Sequence, residues 1–278
     1  MSWKKSVIIG ATLFFWVLCL ASNPDAEAQE KKVVRINGAG LLSDAVQTYA
    51  DACMKEMLGC SFVVTGATTG IGFQKLMDGD VEIAMVTRKI TEQETKSAES
   101  RGLALNSRLI GQISLAVITN ARNPVNELNM DQLAKIFKGE IANWAQVGGP
   151  DEAIRVTVRA VPETGAGVLF QDEVLKGAPY AKDSVVMNSY NTTVMVCSKA
   201  YAIGYIPTTT VYFDKLGDRG VKIIKIKKDD NSPPYSLAGG VSKQTSYPIS
   251  VPFLMYWNSK SNDPCLHGLV DFSERQPQ

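Results

Sequence analysis

Val33-Val34-Arg35-Ile36-Asn37, then Gly38-Ala39-Gly40, then a stretch of helical periodicity from about Leu42 to Leu58, decide how this chain is read. A short β-branched run stops at a turn of small residues and gives way to apolar positions spaced by three and four: strand, turn, helix. The unit recurs. Ser61-Phe62-Val63-Val64 leads through Thr65-Gly66-Ala67-Thr68-Thr69-Gly70 to a helix around Gly72 to Met77. Glu82 to Val86 leads through Thr87-Arg88 to a polar helix opened by Thr91, with Glu94 at capping-box spacing. After a strand from Gln112 to Thr119 comes a helix around Met130 to Phe137. Later units run from Ile154–Val158 through a loop to Gly167 and a helix Val168–Leu175, and from Val185-Val186-Met187 through Asn188–Asn191 to a helix ending near Lys199.

Strands alternating with helices imply an α/β chain with mostly parallel sheets covered on both faces. In such sheets ligands gather at the carboxyl ends of strands, where helix N-termini present unpaired N–H groups and the positive end of the macrodipole. The turns at Gly38–Gly40, Thr68–Gly70 and Gly165–Gly167 are rich in glycine, two of them carrying adjacent threonines. Each alone is as readily plain turn chemistry, because glycine supplies positive φ. Their repetition points to a shared anion site if the fold brings them together. No repeat of fixed period is present.

Lys4 and Lys5 precede an apolar run from Val7 to Ala21 and a polar stretch closing on Ala26-Glu27-Ala28. These are the regions of a secretory signal peptide spanning 1–28, and they predict a periplasmic or extracellular protein. A run of about 15 residues is shorter than the roughly 20 needed to cross hydrocarbon, so a permanent anchor is the weaker reading. Cys19 follows Trp16-Val17-Leu18 rather than the small residue that precedes a lipidated cysteine. The roughly 250 residues beyond, with no further bilayer-spanning run, suit one large domain or two lobes of a little over 100 residues each. Acidic and basic residues are interspersed at a formal net charge of +1, without the basic stripe that a nucleic-acid backbone requires. Any anion must be held by local geometry.

Beyond the leader stand Cys53, Cys60, Cys197 and Cys265, an even number in an oxidising context. The six residues between Cys53 and Cys60 allow a turn from a helix end into the next strand. That favours the bridges Cys53–Cys60 and Cys197–Cys265, with buried free thiols as the alternative. Catalysis is not expected. The lone histidine, His267, stands far from the loops in sequence, the cysteines lack a zinc-like pair of pairs, and Gly38-Ala39-Gly40 lacks the rest of a dinucleotide fingerprint. Neither metal nor cofactor is expected. Met54, Met57, Met77, Met85 and Met195 fall on apolar positions and read as core.

Ile136-Phe137-Lys138-Gly139-Glu140-Ile141-Ala142-Asn143-Trp144, followed by Gly148-Gly149-Pro150, resembles the helix-to-strand segment of periplasmic phosphate-binding proteins, the receptors of phosphate ABC importers. Val64-Thr65-Gly66 through Gly72, Met77-Asp78-Gly79-Asp80-Val81 leading to Ala84–Arg88, Ala202-Ile203-Gly204-Tyr205 and Tyr247-Pro248-Ile249 agree in order and spacing. The resemblance runs from about Val33 to Phe272. It implies a two-lobed periplasmic-binding-protein-like fold, each lobe a mostly parallel sheet flanked by helices, with the ligand cleft between them. The lobes would be 29–118, 119–212 and a return segment 213–278. That return sets Cys265 in the first lobe and Cys197 in the second or near the hinge, where a bridge would stiffen it. The implied partners are a phosphate-like small anion and an ABC permease, with the protein itself a monomer.

The resemblance assigns the ligand to four loops: Ala39-Gly40-Leu41; Thr68-Thr69-Gly70; Thr87-Arg88; and Arg159 with Gly165-Ala166-Gly167. The family places hydroxyls where Leu41, Ala166 and Val168 stand here, and its arginine lies about three residues closer to the glycine loop than Arg159 does. Each lost hydrogen bond to a charged ligand removes about 1.5–3 kcal/mol, so two weaken binding by roughly two orders of magnitude. Two readings follow: a receptor for phosphate or a related oxyanion with degenerate loops, or the same fold refitted to another ligand or to partner binding. Tyr190 and Asn191 are candidates for an aromatic wall and an amide, or else they cap the next helix. Arg88 is a candidate ligand residue or a salt bridge at the rim.

Overall fold

The computed structural model describes residues 32–161, 163–210, 213–242 and 246–275; the expected leader, 1–28, lies outside them. The strands are β1 (Lys32–Ala39), β2 (Cys60–Ala67), β3 (Ile83–Val86), β4 (Leu105–Asn120), β5 (Glu127–Asn129), β6 (Arg155–Val158), β7 (Val185–Val186), β8 (Ala202–Pro207), β9 (Val221–Ile223), β10 (Lys225–Lys227) and β11 (Ser250–Asn258). The helices are α1 (Ser43–Glu56), α2 (Thr69–Asp78), α3 (Glu92–Ser100), α4 (Met130–Lys138), α5 (Gly165–Glu173), α6 (Ser189–Ser198) and α7 (Pro264–Arg275). The capping box at Thr91 and Glu94 forms as its spacing indicated. A second one, Asn129 with Gln132, opens α4, whose Leu133, Ile136 and Phe137 are buried at helical spacing.

Among the described residues one sheet runs in the order β2-β1-β3-β11-β4-β8-β6-β7, with β9 also on β4, and β10 pairs β5 separately. Strands β1, β2 and β3 are parallel to one another, as are β6, β7 and β8. Strand β4 joins the two groups. Leu105 to Ser114 pairs antiparallel with β11, and Leu115 to Thr119 pairs antiparallel with β8. Because β11 is antiparallel to β3 as well, β4 points the same way as β1–β3 and opposite to β6–β8. The carboxyl ends of the first group therefore face those of the second across the middle of β4. The expected mixture of parallel units survives, but the two antiparallel joints at β11 and β4 aim their turns at each other.

Packing explains the first turn. Gly38 has φ +147°, and a Cβ there would lie 1.9 Å from the Met85 carbonyl oxygen. A Cβ on Gly72 would lie 2.7 Å from Gly38 Cα, so α2 sits directly on β1. Gly38 is thus needed for close approach of backbone. Of the methionines, Met85 is fully buried, and Met54, Met57, Met77 and Met195 are partly buried against apolar clusters. His267 accepts a structural role on α7, with Nε2 2.8 Å from the Ser261 carbonyl and its ring edge-on to Trp257.

The expected cysteine pairs do not form. The bridge is Cys60–Cys265, with Cα atoms 5.6 Å apart, while Cys53 and Cys197 are free. Cys53 points into the core from the last turns of α1, its sulfur 3.7 Å from Met57 Sδ. Cys60 opens the edge strand β2, and Cys265 lies in the first turn of α7, which packs beside α1. Cys197, exposed on α6, belongs to the other group of strands. Non-reducing peptide mapping should show the Cys60–Cys265 peptide, with Cys197 alkylated in the native protein and Cys53 only after unfolding. The C60S/C265S variant should lose about 2–5 kcal/mol of stability by denaturant titration.

Candidate functional site

The facing ends of β1, β2, β6 and β7 each deliver a turn and a helix N-terminus, those of α1, α2, α5 and α6. After β1 the chain passes through a 3-10 turn, Gly40–Leu42, straight into α1 without a side-chain cap, and both Leu41 and Leu42 are buried. The next residue, Ser43, has a buried hydroxyl with no hydrogen-bond partner. After β2, Thr68 caps α2 by accepting from the Ile71 N–H. Thr69 and Thr87, from the turns after β2 and β3, meet with hydroxyl oxygens 3.1 Å apart, and the Thr87 N–H donates to Thr69. These two threonines hold the adjoining turns together.

Arg88 is a salt bridge at the rim, the second of its two expected roles. It clasps Glu94 through two hydrogen bonds of 2.8 Å and lies 5.5 Å over the Phe73 ring. Glu94 in turn accepts from the Thr91 backbone N–H. Arg159 differs. Among the described residues no carboxylate pairs with it: Nη1 donates to Ser189 Oγ at 3.0 Å, and Nε is buried with no partner. A buried guanidinium N–H without an acceptor costs free energy.

The loop from Arg159 is shorter in space than in sequence. Thr164 donates through its hydroxyl to the Ala160 carbonyl at 2.7 Å and its backbone N–H donates to the same oxygen, folding the segment back. Helix α5 begins at Gly165 rather than at Val168, with Thr164 as its cap. The Thr164 hydroxyl, its one hydrogen given to Ala160 and its oxygen accepting from Gly167, serves as the cap, so Ala166 and Val168 leave the loop without a free hydroxyl donor, while Arg159 lines the adjoining cavity despite its distance along the chain. Gly167 was expected to offer its N–H to the ligand, but that N–H donates to Thr164 Oγ1. A Cβ on Gly167 would lie 2.5 Å from the Ala160 oxygen. The N–H groups of Gly165 and Ala166 belong to the first turn, which has no intrahelical acceptor.

Two adjoining cavities occupy the space between the turns. One, of about 350 Å³, is lined by Ala39, Leu41, Thr69, Gly70, Thr87, Arg88, Val168 and others. The second, of about 480 Å³, is lined by Ser43, Asp44, Arg159, Thr164, Ala166 and Ser189 among others. Gly40, Leu41, Thr68, Glu163 and Gly165 line both. The structure thus brings together most of the residues named from sequence. Tyr190 and Asn191 line neither cavity. They lie in the first turn of α6, where Asn188 caps the Asn191 N–H at 2.8 Å, and Tyr190 is exposed. Sequence reasoning passed over Ser43, Thr164 and Ser189. For the last two the signal was available, since Thr164 and Asn188 are cap-type residues placed directly before the helices that carry the site.

Facing carboxyl ends, four helix N-termini and an uncompensated arginine define a two-lobed solute-binding protein. A sequence profile described as a PBP superfamily domain matches residues 23–273, and the chain belongs to that superfamily. It is 27% identical over 232 residues to the phosphate-binding protein PstS of Staphylococcus haemolyticus, covering 81% of this chain and 70% of that protein. It is 24% identical over 259 residues to the PstS of Staphylococcus aureus, covering 91% and 76%. Among solved structures it is similar to a putative phosphate ABC transporter substrate-binding protein with bound phosphate from Clostridium perfringens, at TM-score 0.63 and 25% identity, covering 87% of this chain and 92% of that one. An ABC-type phosphate transport receptor from Vibrio cholerae matches at TM-score 0.63 and 25% identity, covering 87% and 94%.

The Arg88 clasp predicts a pH dependence. Its hydrogen bonds, ahead of those from Thr91, lower the Glu94 carboxyl from its ordinary 4.5 to about 2. A depressed carboxylate stabilises fully above its unfolded pKa and loses that contribution as pH falls toward its folded one. Melting curves of wild type and E94Q should differ by a constant amount above pH ~5 and converge as pH falls toward ~2.

Proposed function

We propose that this chain captures phosphate in the cleft and presents it to the permease of an ABC importer. The observation that carries the reading is Arg159. Among the described residues its guanidinium makes no ion pair, its Nε is buried without an acceptor, and it shares a cavity with Ser43, Ser189, the open first turn of α5 and the carboxylates Asp44 and Glu163. A tetrahedral oxyanion supplies several acceptors at once, and charge-assisted hydrogen bonds from guanidinium and helix N–H groups are the strong ones. The similarity to phosphate-binding receptors of importers supports the same ligand and the same kind of partner.

In this reading Gly40, Leu41, Gly165 and Ala166 contribute backbone, and Thr69 and Thr87 form the opposite wall. Thr68, Gly70 and Arg88 shape the rim, while Gly167, Tyr190 and Asn191 act in the scaffold. The protein binds without transforming its ligand, works as a monomer, and is exported through the leader at 1–28. The first lobe begins at 29 and the second at about 119 on β4. The return segment was expected from 213; the pairing of β9 with β4 and of β10 with β5 supports a return to the first lobe on the approach to β11.

Calorimetric titration with inorganic phosphate tests this. Wild type should bind, and R159Q should bind about 10–100-fold more weakly, the equivalent of about 1.5–3 kcal/mol for a charged hydrogen bond. The absence of both heat and a thermal shift with wild type at millimolar phosphate would sink the reading.

A further inference from the structure

Behind Arg159 lies a chain of hydrogen bonds through Tyr205 and Tyr180, neither of which lines the two cavities. The Arg159 backbone N–H donates to the Tyr205 hydroxyl at 3.1 Å. The Tyr205 and Tyr180 hydroxyl oxygens are 2.8 Å apart, and Tyr180 lies 3.2 Å from the Gly167 carbonyl as its donor. A phenol has one hydrogen. Tyr180 gives its own to Gly167, so Tyr205 must donate to Tyr180, and the direction of every bond is set: Arg159 N–H to Tyr205, Tyr205 to Tyr180, Tyr180 to the Gly167 carbonyl. The relay starts at the end of β6 and finishes in the first turn of α5. It ties together the two ends of the loop that carries the anion donors.

The rings are fixed. Tyr205 is 1% exposed and stacks on Phe170 at 4.0 Å between centroids, with Phe137 at 5.8 Å. Burial raises both phenols above their ordinary 10, so each keeps the proton that the relay needs. A donor N–H bonded to a polarised hydroxyl chain is held more firmly than by a single bond.

We propose that Tyr205 and Tyr180 are positioning residues of the anion seat, holding Arg159 and the first turn of α5 in register so that the second lobe's half of the seat is built before ligand arrives. This rests on the phosphate reading for its consequence in affinity, but not for the relay itself. A preorganised seat spends no binding energy on ordering its own loop.

Two measurements on Y180F and Y205F decide it. In calorimetry with inorganic phosphate, Y180F should bind about tenfold more weakly than wild type. In an R159Q background the same substitution should cost less, because part of its effect passes through Arg159. A purely structural tyrosine would lower the melting temperature and leave the affinity of the folded protein and this coupling unchanged. In ligand-free hydrogen exchange, peptides covering 159–168 should exchange about fivefold or more faster in both variants while those covering β1 stay the same. Y205F guards against a folding failure of Y180F and the reverse. Wild-type affinity together with unchanged exchange in a folded variant would overturn the proposal. Failure of wild type to bind phosphate would instead overturn the function, and the exchange data would still decide the relay.

Discussion

Strand β4 is the constraint on which the rest depends. Its sixteen residues run unbroken, and its backbone changes partners between Ser114 and Leu115, from β11 to β8. Hydrogen bonding at that one junction fixes the direction of every strand on either side, since an antiparallel ladder leaves no choice of polarity. Had β8 joined β4 in parallel, the turns after β6 and β8 would have opened away from those after β1, β2 and β3. The cleft is a consequence of strand polarity before any side chain is considered. Only then do its linings matter, and they matter unequally. Arg88 is neutralised by Glu94 within its own lobe, whereas Arg159 is left with hydroxyls and backbone.

That inequality is a statement about desolvation. A guanidinium clasped by a carboxylate has little to gain from a second anion. One whose Nε has been taken from water without replacement gains a full charge-assisted hydrogen bond when an oxyanion enters. The buried Ser43 hydroxyl, also without a partner, stands in the same cavity and adds to the asymmetry. Leu41, for its part, bears no hydroxyl and is buried near Gly165, where a Cβ would come within 3.2 Å of it. It seals the contact between the two sides.

Much of this was legible in the sequence. The β-branched runs at Val33, Phe62 and Ile83 are strands because each alternates with a helix that covers it, and the capping box at Thr91 could be read from two letters. The turns after β1, β2, β3 and β6 were correctly suspected of converging. One failure has a local physical cause: the start of α5. Gly165-Ala166-Gly167 reads as loop because glycine is a poor helix former, yet Thr164 caps the helix and its Phe170 stacks on Tyr205. The disulfide was illegible for a different reason, because which cysteines meet depends on where α7 returns, and no local pattern near Cys265 says so.

The Cys60–Cys265 bridge closes a span of 205 residues, and that span contains the whole second lobe. Both sulfurs lie on the β1–β3 side, on β2 and α7, so the crosslink does not tie that side to the β6–β8 side. The second lobe is thereby an insertion inside a covalent ring. A single cut of the backbone anywhere in it would still leave one connected molecule, the two fragments held together by the sulfur bridge.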